Sequence, residues 1–304
     1  MKKKIFNSDQ MNEIRIGLEE GLDVSKYIQL SPHGRPIYDS YQMYAIRKGL
    51  KQDLDISQYT QLNHKGRPIY DGYEMSVIRE GLKAGIDISQ YTQLNPHGLP
   101  IFDWVQMYAI RQGLEAGIDI SQYTQLNHKG LPFYSGYEMH KIRIGLEEGL
   151  DVSQYNKLDP HGHPIYNARQ MDEIRYGLEE GLDISQYNKL DPHGHPIYDV
   201  DQMEQIRRGL GQSLDISQYT QLNHKGRPIY DADQMFEIRM GLLIGSLKSR
   251  DEKSLINLDP NKSSKTSLSD FDKTPTDLQD SKVINEYNKS SHTPSDTQSK
   301  SRKL

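Results

Sequence analysis

The chain has 304 residues, 26% of them charged and 35% hydrophobic, with a formal net charge of -5 and no cysteine. The missing thiols exclude disulfides, thiolate metal centres and cysteine nucleophiles, and no run approaches the ~20 apolar residues of a membrane span. The start, Met1-Lys-Lys-Lys-Ile-Phe, offers too few apolar residues for a signal peptide, which needs roughly 7–15, so a soluble cytoplasmic protein is expected.

The hydrophobic residues recur at fixed places. A Gln-Met or Glu-Met pair ends at Met11, Met43, Met75, Met107, Met139, Met171, Met203 and Met235, each step being 32 residues without insertion or deletion. Such self-similarity marks a tandem array in which stacked neighbours bury what one unit cannot. The fold class expected is all-α: an α-solenoid of eight helical segments over residues 1–247, followed by a disordered Ser/Lys/Asp/Thr-rich tail over 248–304.

Within a unit the elements follow in order. Met43, Ile46 and Leu50 lie on one stripe of a helix. Asp39 with Gln42 has capping-box spacing, and Tyr38 with Met43 has staple spacing. The same boxes are Asn7/Gln10, Asp71/Glu74, Asp103/Gln106, Ser135/Glu138, Asn167/Gln170, Asp199/Gln202 and Asp231/Gln234. The helix is expected to close at a left-handed residue: Gly21, Gly85, Gly117, Gly149, Gly181 and Gly245, with Asp53 and Ser213 as substitutes. Asp55 and Gln58 repeat the capping-box spacing and predict a short second helix. Asn63-His-Lys-Gly66 reads as a turn, and Arg67-Pro-Ile-Tyr70 must be extended, which suggests a tiny hairpin with Gln61-Leu62. The arms vary in type: Asn-His-Lys-Gly stands in the second, fourth and seventh, and Glu-Met follows the second and fourth. That pattern points to duplication of two-unit blocks.

Four recurring features are candidates for function. An arginine follows the core isoleucine in every helix, among them Arg47, Arg79 and Arg111. This row is either a ladder for phosphate or carboxylate partners or an ion-pair lattice with the Asp opening each short helix, such as Asp55, Asp87 and Asp119. Equal recurrence of both residue types favours the lattice. A glycine inside each helix, such as Gly49, costs roughly 1 kcal/mol against alanine and suggests close approach of a neighbouring backbone. Histidines cluster in the turns, and two arms carry pairs, His161/His163 and His193/His195. These are the metal candidates, but no Cys or Glu completes a ligand set. Finally, the residues after Met and after Arg differ from unit to unit. With the single tryptophan they supply Tyr44, Trp104, Tyr108, His140, Tyr176 and Phe236 as candidate partner-binding residues on a constant frame.

No nucleophile elbow, phosphate-binding loop or helical zinc-protease motif appears, so neither an enzyme nor a cofactor is implied. The core Gln-Met-x-x-Ile-Arg-x-Gly-Leu-x-x-Gly-Leu-Asp-Val-Ser-x-Tyr, as in Gln10 to Tyr27 and Gln170 to Tyr187, resembles short helical repeats of plasmid, phage and conjugative-element proteins in Gram-positive bacteria. The resemblance covers about residues 1–247 and implies a bacterial, mobile-element setting without assigning any site residue. The leading expectation is a scaffold for a protein or peptide partner. A nucleic-acid-binding accessory role is the alternative, disfavoured because the acidic excess lies in the array. End-to-end self-association through the unit-like termini is a third reading.

Overall fold

The computed structural model describes residues 5–256. It contains eight α-helices: α1 Ser8–Glu19, α2 Ser40–Lys51, α3 Gly72–Lys83, α4 Trp104–Glu115, α5 Gly136–Glu147, α6 Ala168–Glu179, α7 Val200–Gly211 and α8 Ala232–Ile256. Consecutive helices from α1 to α7 pack against one another. Among the described residues there are no strands beyond isolated bridges, one per arm, such as Leu62 with Pro68.

Every helix starts as its sequence dictates. In α2 the Asp39 Oδ1 accepts from the Gln42 amide at 2.9 Å, and the Gln42 Oε1 accepts from the Asp39 amide at 2.9 Å. The box recurs in all units through Asp231 and Gln234. The glutamine does more than cap. Its Nε2 donates to the main-chain carbonyl of the next unit's staple residue: Gln10 to Tyr38, Gln42 to Tyr70 and Gln106 to Tyr134, each at 2.8 Å. The staple tyrosine reaches one unit further along the arm, Tyr38 Oη donating to the Thr60 carbonyl at 3.0 Å. Local caps thus serve as the cross-links between units.

Helix ends use a Schellman closure. In α2 the Asp53 amide donates to the Leu50 carbonyl at 3.1 Å and the Leu54 amide to the Gly49 carbonyl at 3.0 Å. Gly21, Gly85, Gly117, Gly149 and Gly181 occupy the left-handed region there, and Asp53 and Ser213 do so at φ 57 and 55. Gly245 does not. The closure expected there is absent, and α8 runs on to Ile256, so residues 248–256, which composition places in the tail, are helical. The reason lies downstream: no Asp-Ile-Ser-Gln-Tyr follows Gly245, so nothing repays the turn. The remainder of the expected disordered tail, 257–304, lies outside the described residues.

The inner glycine has a different cause from the one expected. The atoms nearest to a Cβ at Gly49 are side chains rather than neighbouring backbone: it would overlap the hydroxyl oxygen of Tyr59 and touch Ile56. That hydroxyl donates to the Ala45 carbonyl, 3.5 Å away and 14 residues back. The same arrangement pairs Gly17 with Tyr27, Gly113 with Tyr123 and Gly177 with Tyr187. These tyrosines have no exposed surface, and burial pushes the Tyr27 phenol up to about 12. The glycine is therefore the slot for a core tyrosine of its own unit. Gly241, which has no such tyrosine after it, has nothing among the described residues within 4 Å of where a Cβ would lie.

The short second helix is one 3-10 turn, Ile56–Gln58 in the second unit. Its cap is not the reciprocal box that the spacing suggests. Asp55 Oδ1 accepts from the Ser57 amide at 3.1 Å and from the Ser57 hydroxyl at 2.6 Å, and Oδ2 accepts from Gln58 Nε2 at 3.4 Å. A 3-10 turn is too short to place Gln58 beneath its own cap, so serine takes that role.

Candidate interaction surfaces

The arginine row is a cross-unit ladder, but its partners are not the expected aspartates. Arg47 Nε donates to Glu13 at 2.8 Å and Nη1 to Glu20 at 2.9 Å, 34 and 27 residues earlier. Arg207 repeats this with Glu173 at 2.8 Å and Glu180 at 2.7 Å, and Arg239 with Gln205 and Gln212, both at 3.0 Å. Asp55, Asp87 and Asp119 are committed to their own serines, so the Arg–Asp lattice is replaced by an Arg–Glu lattice between successive main helices. The carboxylates matter electrostatically. Burial opposes the charge on Arg47, yet the Glu13 and Glu20 carboxylates outweigh it and hold its pKa above the ordinary arginine value. Arg239 faces neutral glutamines at the same register, and burial lowers its pKa.

The ladder changes in mid-array. The residues 34 positions before Arg79, Arg111 and Arg143 are Ala45, Val77 and Ala109, all buried and apolar. The Nε atoms of these three arginines are buried and, among the described residues, have no hydrogen-bond partner. Arg79 Nη1 reaches Gln52 at 3.0 Å. Arg111 and Arg143 turn instead to Glu115 and Glu147 of their own helices.

The variable positions lie on one stripe, because the residue after Met and the residue after Arg are four apart. Their aromatics pack on the ladder. Tyr44 lies under Arg47 at 5.5 Å, Tyr108 under Arg111 at 5.2 Å, Phe236 under Arg239 at 5.4 Å, and Tyr176 lies 4.3 Å from Arg175 and 5.2 Å from Arg207. His140 Nδ1 sits 3.2 Å from Arg143. Cation–π contacts of this kind are worth about 0.5–1 kcal/mol at exposed sites. Five of the six candidate partner residues thus cover guanidinium groups.

Trp104 belongs to another surface, built from residues that the sequence reading did not single out. At the amino-terminal edge of the helices Tyr41 stacks on Tyr73 with centroids 5.5 Å apart, and Tyr73 stacks on Trp104 at 5.4 Å. Tyr137, exposed, holds the same helix position two units after Tyr73. Glycine makes the stack: a Cβ on Gly72 would lie 3.0 Å from the Gln42 amide nitrogen and closer still to Tyr41. The first turn of α3 therefore rests directly on that of α2, ring beside ring. Gly136 seats α5 on α4 in the same way, its virtual Cβ 2.9 Å from the Gln106 nitrogen. Burial and the adjacent Tyr41 hydroxyl raise the Tyr73 pKa. The sequence signal was available: Tyr41, Tyr73 and Tyr137 each precede a Gln-Met or Glu-Met pair. Further along the same edge the rings give way to a charged pair, Arg169 with Asp201 at 3.1 Å.

The paired histidines sit on exposed turns. His163 Nδ1 lies 3.3 Å from Asp159 Oδ2, and the other carboxylate oxygen accepts from the amides of both His161 and His163 at 2.8 Å. His195 lies 3.7 Å from Asp191, and the His193 amide repeats the turn contact. Among the described residues no three His, Asp or Glu side chains gather as a metal site, and no helix is long and apolar enough to cross a membrane.

No family model, curated protein or solved structure matches this chain.

Proposed function

We propose that the chain is a non-catalytic repeat scaffold that holds a protein or peptide partner on the aromatic edge Tyr41–Tyr73–Trp104–Tyr137. The observation that carries this reading is the three-ring stack, in which Tyr73 and Trp104 are half-buried and Tyr41 is exposed. Aromatic side chains supply large contact area with few rotatable bonds, and they dominate binding energy at interfaces. The Arg–Glu ladder and the aromatics upon it pack on one another along the helices and serve the frame. A second reading takes the same rings as a platform for single-stranded nucleic acid. Against it stand the aspartate caps Asp39, Asp71 and Asp103 at that edge, which repel phosphates.

The test is capture by the immobilised full chain, nuclease-treated and untreated, with Tyr73→Ala and Trp104→Ala variants beside the parent. The expected result is a protein partner retained by the parent and lost by both variants. Retention that is unchanged in both variants overturns the assignment of the surface. Binding of oligonucleotides that falls steeply with salt supports the nucleic-acid reading instead.

A further inference from the structure

Each internal junction joins the carboxyl-side face of one unit to the amino-side face of the next, and the two ends of the array display one of each. In α2 to α8 the methionine of the Gln-Met or Glu-Met pair is 0% exposed; Met11 of α1 is 50% exposed. Arg47 keeps 5% of its side-chain surface and Arg15 keeps 59%. Leu18 is exposed as well. Among the described residues nothing covers this face of α1. Arg15 pairs, among the described residues, with Glu19 at 2.6 Å and Asn12 at 2.9 Å, both on its own helix.

The matching face is on α8. Gln234 is exposed, whereas Gln10, Gln42, Gln106, Gln170 and Gln202 are buried with Nε2 on the carbonyl 28 residues ahead. Glu237 is exposed and stands one period after Gln205 and two after Glu173, the residues that receive an arginine Nε from the following helix. Ile244, exposed, stands at the register of Gln212 and Glu180. A second α1 laid on α8 in the internal register would put Arg15 Nε on Glu237, Arg15 Nη1 at Ile244 in place of a carboxylate, and the Phe6 carbonyl on Gln234 Nε2.

We infer that this chain associates head to tail with a second copy, α1 of one molecule docking on α8 of the next in the register of the repeat. The contact is heterologous, so it propagates into open chains unless its rotation closes a ring. It is weaker than an internal junction, because no Asp-Ile-Ser-Gln-Tyr follows Gly245 to supply a core tyrosine, and because the two faces are not joined by an arm. The inference uses residues separate from the aromatic edge, so either can fail alone.

The experiment is sedimentation velocity of the full chain over a wide concentration range, with Arg15→Glu, Glu237→Arg and their equimolar mixture. Both substitutions lie on exposed positions, and circular dichroism checks that the fold is kept. The parent is expected to gain mass with concentration. Each single reversal places like charges together and weakens association by about tenfold or more. The mixture restores it, since every junction then pairs opposite charges. A parent that stays monomeric at all concentrations overturns the inference, as does association that neither reversal weakens.

Discussion

Glu74→Gln is the substitution that most directly tests how units are coupled. Five units link to the next through a glutamine Nε2 on a carbonyl 28 residues ahead, from Gln10 on Tyr38 to Gln202 on Tyr230. Glu74 keeps the capping half of that role, its Oε2 accepting from the Asp71 amide at 2.8 Å. The coupling acceptor 28 residues ahead would be the Phe102 carbonyl. Oxygen cannot donate there unless the acid is protonated. Burial, with the charges of Asp71 and Asp103 adding to it, pushes the Glu74 pKa up to about 7. A pKa raised above its ordinary value of 4.5 gives stability that is complete below that value and lost as pH rises through about 7.

At 1.36 kcal/mol per unit the full shift corresponds to about 3 kcal/mol; discounted for a side chain that is only partly buried, about 1–2 kcal/mol remains. Glutamine does not titrate and supplies the donor at every pH, a hydrogen bond worth about 1 kcal/mol. The variant should therefore exceed the parent by about 1–3 kcal/mol near pH 8 and by little near pH 5. Hydrogen exchange at the α3–α4 junction, read at both pH values, suits a repeat array better than a single unfolding midpoint, because arrays open unit by unit. The same gain at both pH values, or none near pH 8, would refute the reasoning.

Other substitutions probe the frame. Gly49→Ala drives a methyl into the Tyr59 hydroxyl and should cost about 1–3 kcal/mol in urea unfolding. Gly241→Ala meets nothing and should gain about 0.5–1 kcal/mol through helix propensity. Ser213→Gly relieves a left-handed serine at φ 55 and should stabilise by about 0.5–1 kcal/mol, read as a raised thermal midpoint. Glu173→Ala strips Arg207 of its 2.8 Å partner but leaves Glu180; about 1–3 kcal/mol should be lost, measured by denaturation of parent and variant side by side.

Period, caps and staples were legible because each is settled within a few residues. Asp39 needs only Gln42, and Tyr38 needs only Met43. The inner glycine was misread because its partner, Tyr59, lies ten residues on across a closure and a 3-10 turn. The pair could have been read from its strict co-occurrence in the first seven units. Gly245 shows the opposite error: a residue suited to a left-handed closure does not make one without the Asp-Ile-Ser-Gln-Tyr that must follow. The arginine partners were out of reach, since an offset of 34 residues is set by how helices stack and by nothing local. The aromatic edge was missed for a narrower reason. The positions after Met and after Arg do not reach this edge: Tyr41, Tyr73 and Tyr137 stand before the Gln-Met or Glu-Met pair.

The junctions differ along the array, and their distribution bears on where a partner would sit. Between α1 and α2, and again between α6 and α7, arginine crosses to two glutamates. Between α2 and α5 the register residues are Ala45, Val77 and Ala109, and glycine brings the helix starts together at Gly72 and Gly136. Charged junctions fix register, since a slipped arginine would be buried without a carboxylate. Apolar junctions give up that selectivity for close packing, and the close packing is what lays Tyr73 on Tyr41. The stacked rings therefore occur where the ladder is interrupted: one change, from carboxylate to small apolar residue in the middle units, accompanies both the loss of the cross-unit ion pairs and the gain of an aromatic edge. At the amino-terminal end the α1–α2 junction is charged; at the carboxyl-terminal end Arg239 meets two neutral glutamines instead, and Arg15 and Glu237 stand at the same register on the outer faces.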